Sequence, residues 1–249
     1  MTEREMASIL RQKGWGAIPP DQYRIDIEEE FLSLWDSVKE YTMTYLERGY
    51  ALYKAVEYLC RRNIPGDIVE CGVWKGGSCM LIAKAIMKFD EKPRRIFLYD
   101  TFTGMTEPSS EDVVAWNNRS VLEKWKEDRS GVKDNFGSWA VGAEEVKQNL
   151  AGTGYPLDEL VFVEGDILET LNEIKPEKIA LLRLDTDWYR STAFELEQLY
   201  PLVSTGGVLV IDDYGHFRGA RKAVDEYFNN SSIFLTRVDY TGRVGIKLP

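Results

Sequence analysis

The chain has 249 residues and a formal net charge of −10. This acidic balance argues against an electrostatic surface for nucleic acid or anionic membranes, and no run approaches the ~18 apolar residues of a membrane span. The first ten residues carry charges but no apolar signal core, so we expect a cytoplasmic protein without nucleic-acid or membrane partners. The length suits a single α/β domain, residues 1–249, with an amino-terminal extension.

The amino-terminal part of the chain is predicted to be an irregular arm followed by helices. Residues 1–27 contain glycine, proline and scattered charge, and allow a short helix at their start. From Glu28 to Arg48 apolar residues recur with helical spacing, and a second helical face follows between Leu52 and Leu59. Residues 1–64 therefore form the extension that precedes the sheet.

Strands and helices then alternate along the chain. The predicted strands are residues 67–71, 95–100, 159–165, 179–185 and 208–212, and the predicted helices are residues 77–87, 143–152, 191–202 and 219–228. Two β-like segments, 233–238 and 243–248, can form a hairpin at Thr241-Gly242. Five βα units with a terminal hairpin indicate a doubly wound sheet with an antiparallel edge.

Residues 103–141 interrupt this alternation. The segment is long and acidic, and it contains four scattered aromatic residues: Trp116, Trp125, Phe136 and Trp139. A connection of this length inside a compact domain is usually functional or disordered. The aromatic residues favour an ordered lid over a flexible insertion.

The cysteines and the single histidine argue against zinc. Cys60, Cys71 and Cys79 are an odd number without Cys-x-x-Cys spacing, and His216 is the only histidine. Zinc sites are built mainly from several such side chains. We therefore expect three reduced cysteines that pack in the core.

Four aspartates follow two predicted parallel strands. Asp185 and Asp187 follow the fourth strand, where a spacing of two would point both side chains to one face of an extended chain. Asp212 and Asp213 follow the fifth strand. Four like charges at this ligand-binding edge would repel unless a cation lies between them or some are protonated. Oxygen ligands favour Mg²⁺ over zinc, and the alternative is that the aspartates cap helices.

A glycine turn follows the first strand, from Glu70 to Ser78. It lacks the G-x-G-x-x-G pattern of dinucleotide-binding folds, and an acid before the first glycine would repel a pyrophosphate but suit an ammonium group. Asp100 ends the second strand, where an acid can bind ribose hydroxyls, and Asp166 follows the third, where it could accept from an adenine amino group. An adenosyl ligand that bears an amino acid, S-adenosylmethionine, fits these three acids.

These segments together resemble the macrocin O-methyltransferase family, whose metal- and S-adenosylmethionine-dependent members methylate sugar hydroxyls of macrolide and aminocoumarin antibiotics. The resemblance runs from about Tyr41 to Phe228. It rests on Tyr41-Thr42-Met43, on residues 65–77, on Asp100-Thr101-Phe102-Thr103-Gly104, on Leu182-Arg183-Leu184-Asp185-Thr186-Asp187 and on Ile211-Asp212-Asp213-Tyr214. It implies the class I methyltransferase fold, a Rossmann-like doubly wound sheet.

The resemblance also implies roles for individual residues. Asp185, Asp212 and Asp213 would hold Mg²⁺, and Asp187 would be the general base. His216, just past the last aspartates, is an alternative base or a loop or lid contact. The positions implied to bind the cofactor are Thr42, Met43, Glu70, Cys71, Gly72, Val73, Trp74, Ser78, Asp100, Thr101, Phe102, Gly165, Asp166, Ile167 and Asp185.

The expected reaction is methyl transfer from S-adenosylmethionine to a hydroxyl of a vicinal diol, on a sugar or a glycosylated natural product. Asp-x-Asp after a strand also marks nucleotide-sugar glycosyltransferases, which would leave the Glu70 turn unexplained. Aspartate-nucleophile phosphatases place the motif after the first strand rather than the fourth. A non-catalytic S-adenosylmethionine-binding module is a third alternative. The partner is then a small molecule, and the arm and lid suggest a homodimer.

Overall fold

A computed structural model describes residues 1–17, 24–90, 92–129, 139–229 and 233–249. Within these residues, three α-helices precede the sheet: α1 (Glu3–Gln12), α2 (Glu29–Val38) and α3 (Leu46–Arg61). The expected continuous helical pattern from Glu28 to Arg48 is wrong, because α2 ends at Val38 and a 3-10 turn follows. Thr42 is extended, and this segment crosses the start of the helix after the first strand. A Cβ atom added to Gly77 there would lie 2.5 Å from the carbonyl carbon of Tyr41.

The sheet has seven strands in the order β3-β2-β1-β4-β5-β7-β6. The strands are β1 (Asp67–Cys71), β2 (Ile96–Asp100), β3 (Leu160–Glu164), β4 (Ile179–Leu184), β5 (Val203–Ile211), β6 (Leu235–Arg237) and β7 (Arg243–Ile246). The pairs among the first five are parallel, and β7 pairs antiparallel with β5 and β6. This arrangement confirms the doubly wound sheet with an antiparallel edge. β5 begins at Val203, earlier than predicted.

Helices cover both faces of the sheet. They are α4 (Gly77–Phe89), α5 (Val121–Arg129), α6 (Ala143–Ala151), α7 (Ile167–Thr170), α8 (Tyr189–Leu199) and α9 (Arg218–Tyr227). Of these, α5 in the lid segment and the short α7 were not predicted. Within the described residues, no helix combines the length and apolar character needed to cross a membrane.

The core lies in two layers, one on each side of the sheet. Successive strand residues alternate between them, since Ile68 packs with α3 and α4 while Val69 packs with α8 and α9. Cys60 and Cys79 are buried in the first layer and Cys71 in the second, which confirms their predicted packing role.

The strand order reverses between β1 and β4, which are neighbours in the sheet. From β1 the chain proceeds outward through β2 and β3, and from β4 it proceeds in the other direction to β5. In open α/β sheets, ligands bind at the carboxyl ends of the strands beside such a reversal. This position contains the glycine turn after β1 and the aspartates after β4 and β5.

Candidate active site

A cavity of about 330 Å³ opens at the carboxyl ends of the parallel strands. Most of the predicted site residues line it: Thr42, Met43, Glu70, Gly72, Val73, Trp74, Ser78, Asp100, Thr101, Gly165, Asp166, Ile167, Asp185, Asp187, Asp212 and Asp213. The other two predicted positions belong to the packing behind it. Cys71 is buried in the core, and Phe102 packs its ring against Phe162 with 5.9 Å between ring centroids.

The glycine turn after β1 brings two loops of the cavity into contact. Gly72 and Gly76 have φ angles of 86°, a left-handed conformation that favours glycine. A Cβ atom on Gly72 would lie 2.2 Å from the carbonyl oxygen of Asp185. The absence of a side chain at Gly72 therefore lets the β1 turn pack directly on the chain leaving β4.

Asp100 holds this turn through its carboxylate. One oxygen accepts hydrogen bonds from the backbone amides of Val73 and Trp74, at 2.7 and 3.1 Å, and the other accepts from Phe102 at 2.8 Å. The aspartate thus joins the ends of β1 and β2 while it lines the cavity. Asp166 has a similar local role, because it caps α7 by accepting from the amide of Leu168 at 2.9 Å.

A buried arginine connects the two ends of the cavity. Arg183 on β4 donates to Glu70 at 2.7 Å and to Asp185 and Asp212 at 2.8 Å each, and its side chain is 3% exposed. The thiol of Cys79 also donates to Glu70, at 2.9 Å. Burial raises the pKa of Glu70, although Arg183 opposes the shift. Three carboxylates from three strand ends therefore share one guanidinium.

Asp212 accepts hydrogen bonds from two arginines. Its second oxygen accepts from Arg48 of α3, whose Nε lies 3.1 Å from a carboxylate oxygen of Asp239. Burial by itself would raise the pKa of Asp212, but Arg183 and Arg48 outweigh it and hold the pKa below its usual range. Asp212 therefore remains ionised within the cavity.

Asp185, Asp187 and Asp213 form the acidic cluster. One carboxylate oxygen from each lies within 4.8 Å of the others. Burial raises the pKa of Asp187 to about 7, and burial together with the neighbouring acids raises the pKa values of Asp185 and Asp213. Burial and the neighbouring acids thus disfavour full ionisation of the cluster, which a cation would relieve, and oxygen donors of this kind suit a hard divalent cation.

A family model for the macrocin O-methyltransferases (TylF) matches residues 34–244, which include every part of this cavity. The chain belongs to the macrocin O-methyltransferase family. The family consists of methyltransferases, and this chain is accordingly an S-adenosylmethionine-dependent O-methyltransferase.

Relatives and one solved structure support this membership. Demethyldecarbamoylnovobiocin O-methyltransferase of Streptomyces niveus is 34% identical over 187 residues, covering 75% of this chain and 67% of the relative. A Streptomyces olivaceus enzyme, 8-demethyl-8-(2,3-dimethoxy-alpha-L-rhamnosyl)-tetracenomycin-C 4′-O-methyltransferase, is 33% identical over 210 residues, 84% of this chain and 76% of its own. The structure of the O-methyltransferase NovP superposes with a TM-score of 0.71 at 29% identity, covering 84% of this chain and 83% of NovP. The fold is therefore that of the class I methyltransferases.

In this O-methyltransferase, Asp187 reaches the acidic cluster by a tight turn. The prediction of an extended Asp-x-Asp segment is wrong, because β4 ends at Leu184 and Asp187 has a φ of 67°. The amide of Trp188 donates to the carbonyl of Thr186 at 2.8 Å, and the Thr186 hydroxyl donates to the buried Glu195 at 2.7 Å. These hydrogen bonds fold Asp187 back beside Asp185.

The metal set predicted for this O-methyltransferase and the observed acidic cluster share Asp185 and Asp213. The third predicted ligand, Asp212, also lines the cavity but is hydrogen-bonded by the arginines. His216 makes the loop and lid contacts that were predicted as the alternative to a role as catalytic base. Its Nδ1 lies 3.0 Å from the Tyr240 hydroxyl, and its ring packs against Trp116. Burial lowers its pKa.

Sequence reasoning did not predict two residues that line the cavity of the O-methyltransferase, Arg48 and Tyr240, or the buried Arg183 that bonds to three of its carboxylates. A lone arginine within the apolar run 179–184 was the signal that could have identified Arg183 as an ion-pair centre. Arg48 and Tyr240 carried no comparable signal, since they come from α3 and from the β6–β7 connection. In the lid, Trp125 is buried and Trp116 is 61% exposed, while Phe136 lies outside the described residues.

Proposed function

We propose that this enzyme transfers a methyl group from S-adenosylmethionine to a hydroxyl of a vicinal diol on a sugar or a glycosylated natural product, with Mg²⁺ at the acidic cluster. The observation that carries the proposal is that one cavity contains both half-sites. The glycine turn and Asp166 line one end, and the three clustered aspartates line the other. Family membership favours methyl transfer over the glycosyltransferase, phosphatase and binding-module alternatives.

The names of the relatives support a sugar acceptor. One is named for the methylation of a rhamnosyl group on tetracenomycin, and another for a derivative of the antibiotic novobiocin. The volume of the cavity falls in the range of small-molecule sites.

The cofactor fits the end of the cavity nearest β1. We infer that Glu70, with Thr42 and Met43 above it, binds the amino-acid portion, because a buried carboxylate suits an ammonium group. Asp100 and Thr101 lie on the ribose side, and Gly165-Asp166-Ile167 lie on the adenine side. Trp74 and Ser78 complete the wall at the start of α4.

The acidic cluster fits a divalent cation, since it supplies oxygen donors and excess negative charge. We propose Asp185 and Asp213 as ligands, with Asp212 as the third because its arginine partners keep it ionised. Mg²⁺, when bound, would lower the pKa of a coordinated hydroxyl and fix the position of its oxygen. Asp187 is then free to accept a proton.

Asp187 alone cannot form an alkoxide before methyl transfer. A hydroxyl that ionises near the value of bulk water, ~15.7, exceeds the Asp187 pKa of about 7 by roughly 9 units, equivalent to about 12 kcal/mol. Proton loss to Asp187 must therefore accompany attack on the methyl group. Alignment of donor and acceptor within the cavity can supply up to ~7–11 kcal/mol.

The test is turnover with and without a metal ion, followed by mass spectrometry of the product. Rhamnosides with and without one of two adjacent hydroxyls serve as acceptors, with calorimetry of S-adenosylmethionine binding as the control. We expect chelation to abolish turnover but not cofactor binding, and added Mg²⁺ to restore turnover. Normal turnover by exhaustively demetallated protein would contradict the metal role, and efficient methylation of a mono-hydroxyl acceptor would contradict the diol requirement.

A further inference from the structure

Asp187 has an uncommon backbone conformation at the acceptor end of the cavity, where the clustered aspartates lie. Its φ of 67° falls in the left-handed region, which residues with a side chain rarely adopt. The amide of Trp188 donates to the carbonyl of Thr186 at 2.8 Å, so Asp187 is the central residue of a three-residue γ-turn. A γ-turn with positive φ at its centre is the rare and strained form. Such a turn persists only where surrounding contacts hold it.

The chain is anchored on both sides of this γ-turn. Before the turn, the amide of Asp185 donates to the carbonyl of Cys71 on β1 at 2.8 Å. After the turn, the amide of Tyr189 donates to the buried carboxylate of Asp112 in the lid, also at 2.8 Å. These anchors fix where the segment begins and ends, and the conformation between them depends on a further contact.

That contact is a hydrogen bond to helix α8. The hydroxyl of Thr186 donates to Oε1 of Glu195 at 2.7 Å. Glu195 is fully buried and is not among the residues that line the cavity. Because the carbonyl of Thr186 closes the γ-turn, a bond that orients Thr186 also orients the turn. Glu195 thus acts on the backbone of Asp187 from outside the cavity.

Stability alone gives no reason for a glutamate at this position. Its other oxygen, Oε2, has no hydrogen-bond partner among the described residues. A buried carboxyl group with a single hydrogen bond destabilises the fold relative to an apolar side chain. The adjacent helix residues Leu196 and Leu199 pack in the apolar core layer on that side of the sheet. A polar group placed there at a cost to stability points to a role in the neighbouring site.

The effect of Glu195 on the acidic cluster is geometric rather than electrostatic. Burial raises the pKa of Glu195 to about 8, so the carboxyl group is largely protonated at neutral pH and adds little negative charge. A glutamine has the same length and can accept the same hydrogen bond from Thr186. Glu195→Gln therefore separates the hydrogen bond from the ionisable group.

The position of the Asp187 carboxylate decides whether it can accept a proton. A general base must lie within hydrogen-bond reach of the proton that it removes, and a displacement of ~1 Å can lower the rate by about 10²-fold. Asp187 contributes one oxygen to the cluster with Asp185 and Asp213, within 4.8 Å of theirs. A change in the φ of Asp187 would swing its side chain relative to the other two.

We propose that Glu195 is a positioning residue for methyl transfer, which holds the γ-turn through its hydrogen bond to Thr186 and so aims the Asp187 carboxylate at the acceptor hydroxyl. Glu195 itself touches neither the cofactor nor the acceptor. The inference rests on the proposed function, because that function makes Asp187 the general base.

Paired variants of both partners test the hydrogen bond. Thr186→Val and Glu195→Met remove it with little change in side-chain volume, whereas Thr186→Ser and Glu195→Gln can keep it. The assay contains S-adenosylmethionine, Mg²⁺ and a rhamnoside with two adjacent hydroxyls. We expect the first two variants to lower kcat by roughly 10–100-fold and the second two to retain most of it. KM for the rhamnoside and the S-adenosylmethionine affinity from calorimetry should change little in all four.

Thr192→Val is the matched control. Thr192 is another buried threonine near the start of α8, 2% exposed and outside the lining of the cavity. The substitution removes a hydroxyl from the same helix region without touching the bond between Thr186 and Glu195. It should leave kcat unchanged.

A double-mutant cycle separates positioning from a general loosening of the site. In the Asp187→Asn background, Thr186→Val should cause no further loss of kcat, because the turn then has no base to position. Losses that multiply would show that Thr186 acts independently of Asp187, and they would overturn the proposal. Unchanged kcat in both Thr186→Val and Glu195→Met would do the same.

Crystal structures of the wild type and of Thr186→Val give a readout that does not depend on turnover. We expect the φ of Asp187 to leave the left-handed region in the variant. A φ that stayed near 67° would overturn the proposal even if kcat fell. If the wild type methylated no rhamnoside, the proposed function would fail and the role of Glu195 in the reaction with it. The crystal structures would still show whether Glu195 holds the turn, which distinguishes the two failures.

Discussion

The two ends of the cavity are built from different kinds of interaction. At the cofactor end, backbone conformation sets the geometry, through left-handed Gly72 and Gly76 and through amides that donate to Asp100. At the acceptor end, charged side chains set it, through Arg183 and Arg48. Backbone turns depend on neighbouring residues, whereas the Arg48–Asp212 pair joins residues 164 positions apart. The hydrogen bonds of Asp100 at the cofactor end therefore span shorter stretches of chain, 26 and 27 positions, than the ion pair at the acceptor end.

The largest expected effect separates chemistry at the acceptor end from binding at the cofactor end. Asp187→Asn should lower kcat by ~10²–10⁴-fold, the range typical of general-base loss, and should leave S-adenosylmethionine affinity unchanged. Single-turnover kinetics and calorimetry measure the two quantities. His216→Asn should cost far less. If the His216 variant were inactive and the Asp187 variant active, His216 would be the general base.

Arg183→Met tests whether the acceptor end depends on its charge network. The substitution leaves Glu70, Asp185 and Asp212 without their shared guanidinium, so the free energy of unfolding should fall by ~3–5 kcal/mol. Arg95→Met is the control: it removes an arginine that is 52% exposed and paired with Asp67, for a loss of about 1 kcal/mol or less. Denaturant unfolding measures both losses. If the free energy of unfolding fell equally in the two variants, Arg183 would contribute no more than an exposed ion-pair partner.

Asp100→Ala tests the backbone-built end. The amides of Val73 and Trp74 lose their acceptor, so the glycine turn should loosen and S-adenosylmethionine binding should weaken by ~1–3 kcal/mol. Asp158→Ala, at an exposed position away from the cavity, should leave the affinity unchanged. If calorimetry gave the Asp100 variant the same affinity as wild type, the hydrogen bonds of Asp100 to the glycine turn would not contribute to cofactor binding.

A pH-dependent effect is expected from the buried Glu195 beneath the acceptor end. Burial raises its pKa from 4.5 to about 8, so the native state keeps this group protonated where the unfolded state has lost the proton. The stability it contributes is complete below pH 4.5 and is lost as the pH rises towards 8, at up to about 1.4 kcal/mol per pH unit. Glu195→Gln should therefore gain stability relative to wild type between pH 5 and 8. Denaturant unfolding of the variant and the wild type at pH 5 and at pH 8 measures this gain. An equal difference in the free energy of unfolding at the two pH values would contradict the prediction.

The sequence predicted the cofactor end better than the acceptor end for the same physical reason. The glycine turn and Asp100 follow directly from contiguous motifs at strand ends, and both lie where they were expected. The turn at Asp187 was missed because a left-handed aspartate carries no distinctive pattern. The break after Val38 was also missed, since the contact that requires it is made with Gly77 in another helix.

The antiparallel hairpin at the sheet edge has a consequence for how this enzyme can diversify. The connection between β6 and β7 carries Asp239, Tyr240 and Thr241, which contact Arg48, His216 and Asp212. A surface hairpin tolerates sequence change more readily than the parallel strands that hold the aspartates. Within this turn, the exposed Tyr240 can therefore change and alter the acceptor end, while Asp239 and Thr241 keep their contacts with Arg48 and Asp212.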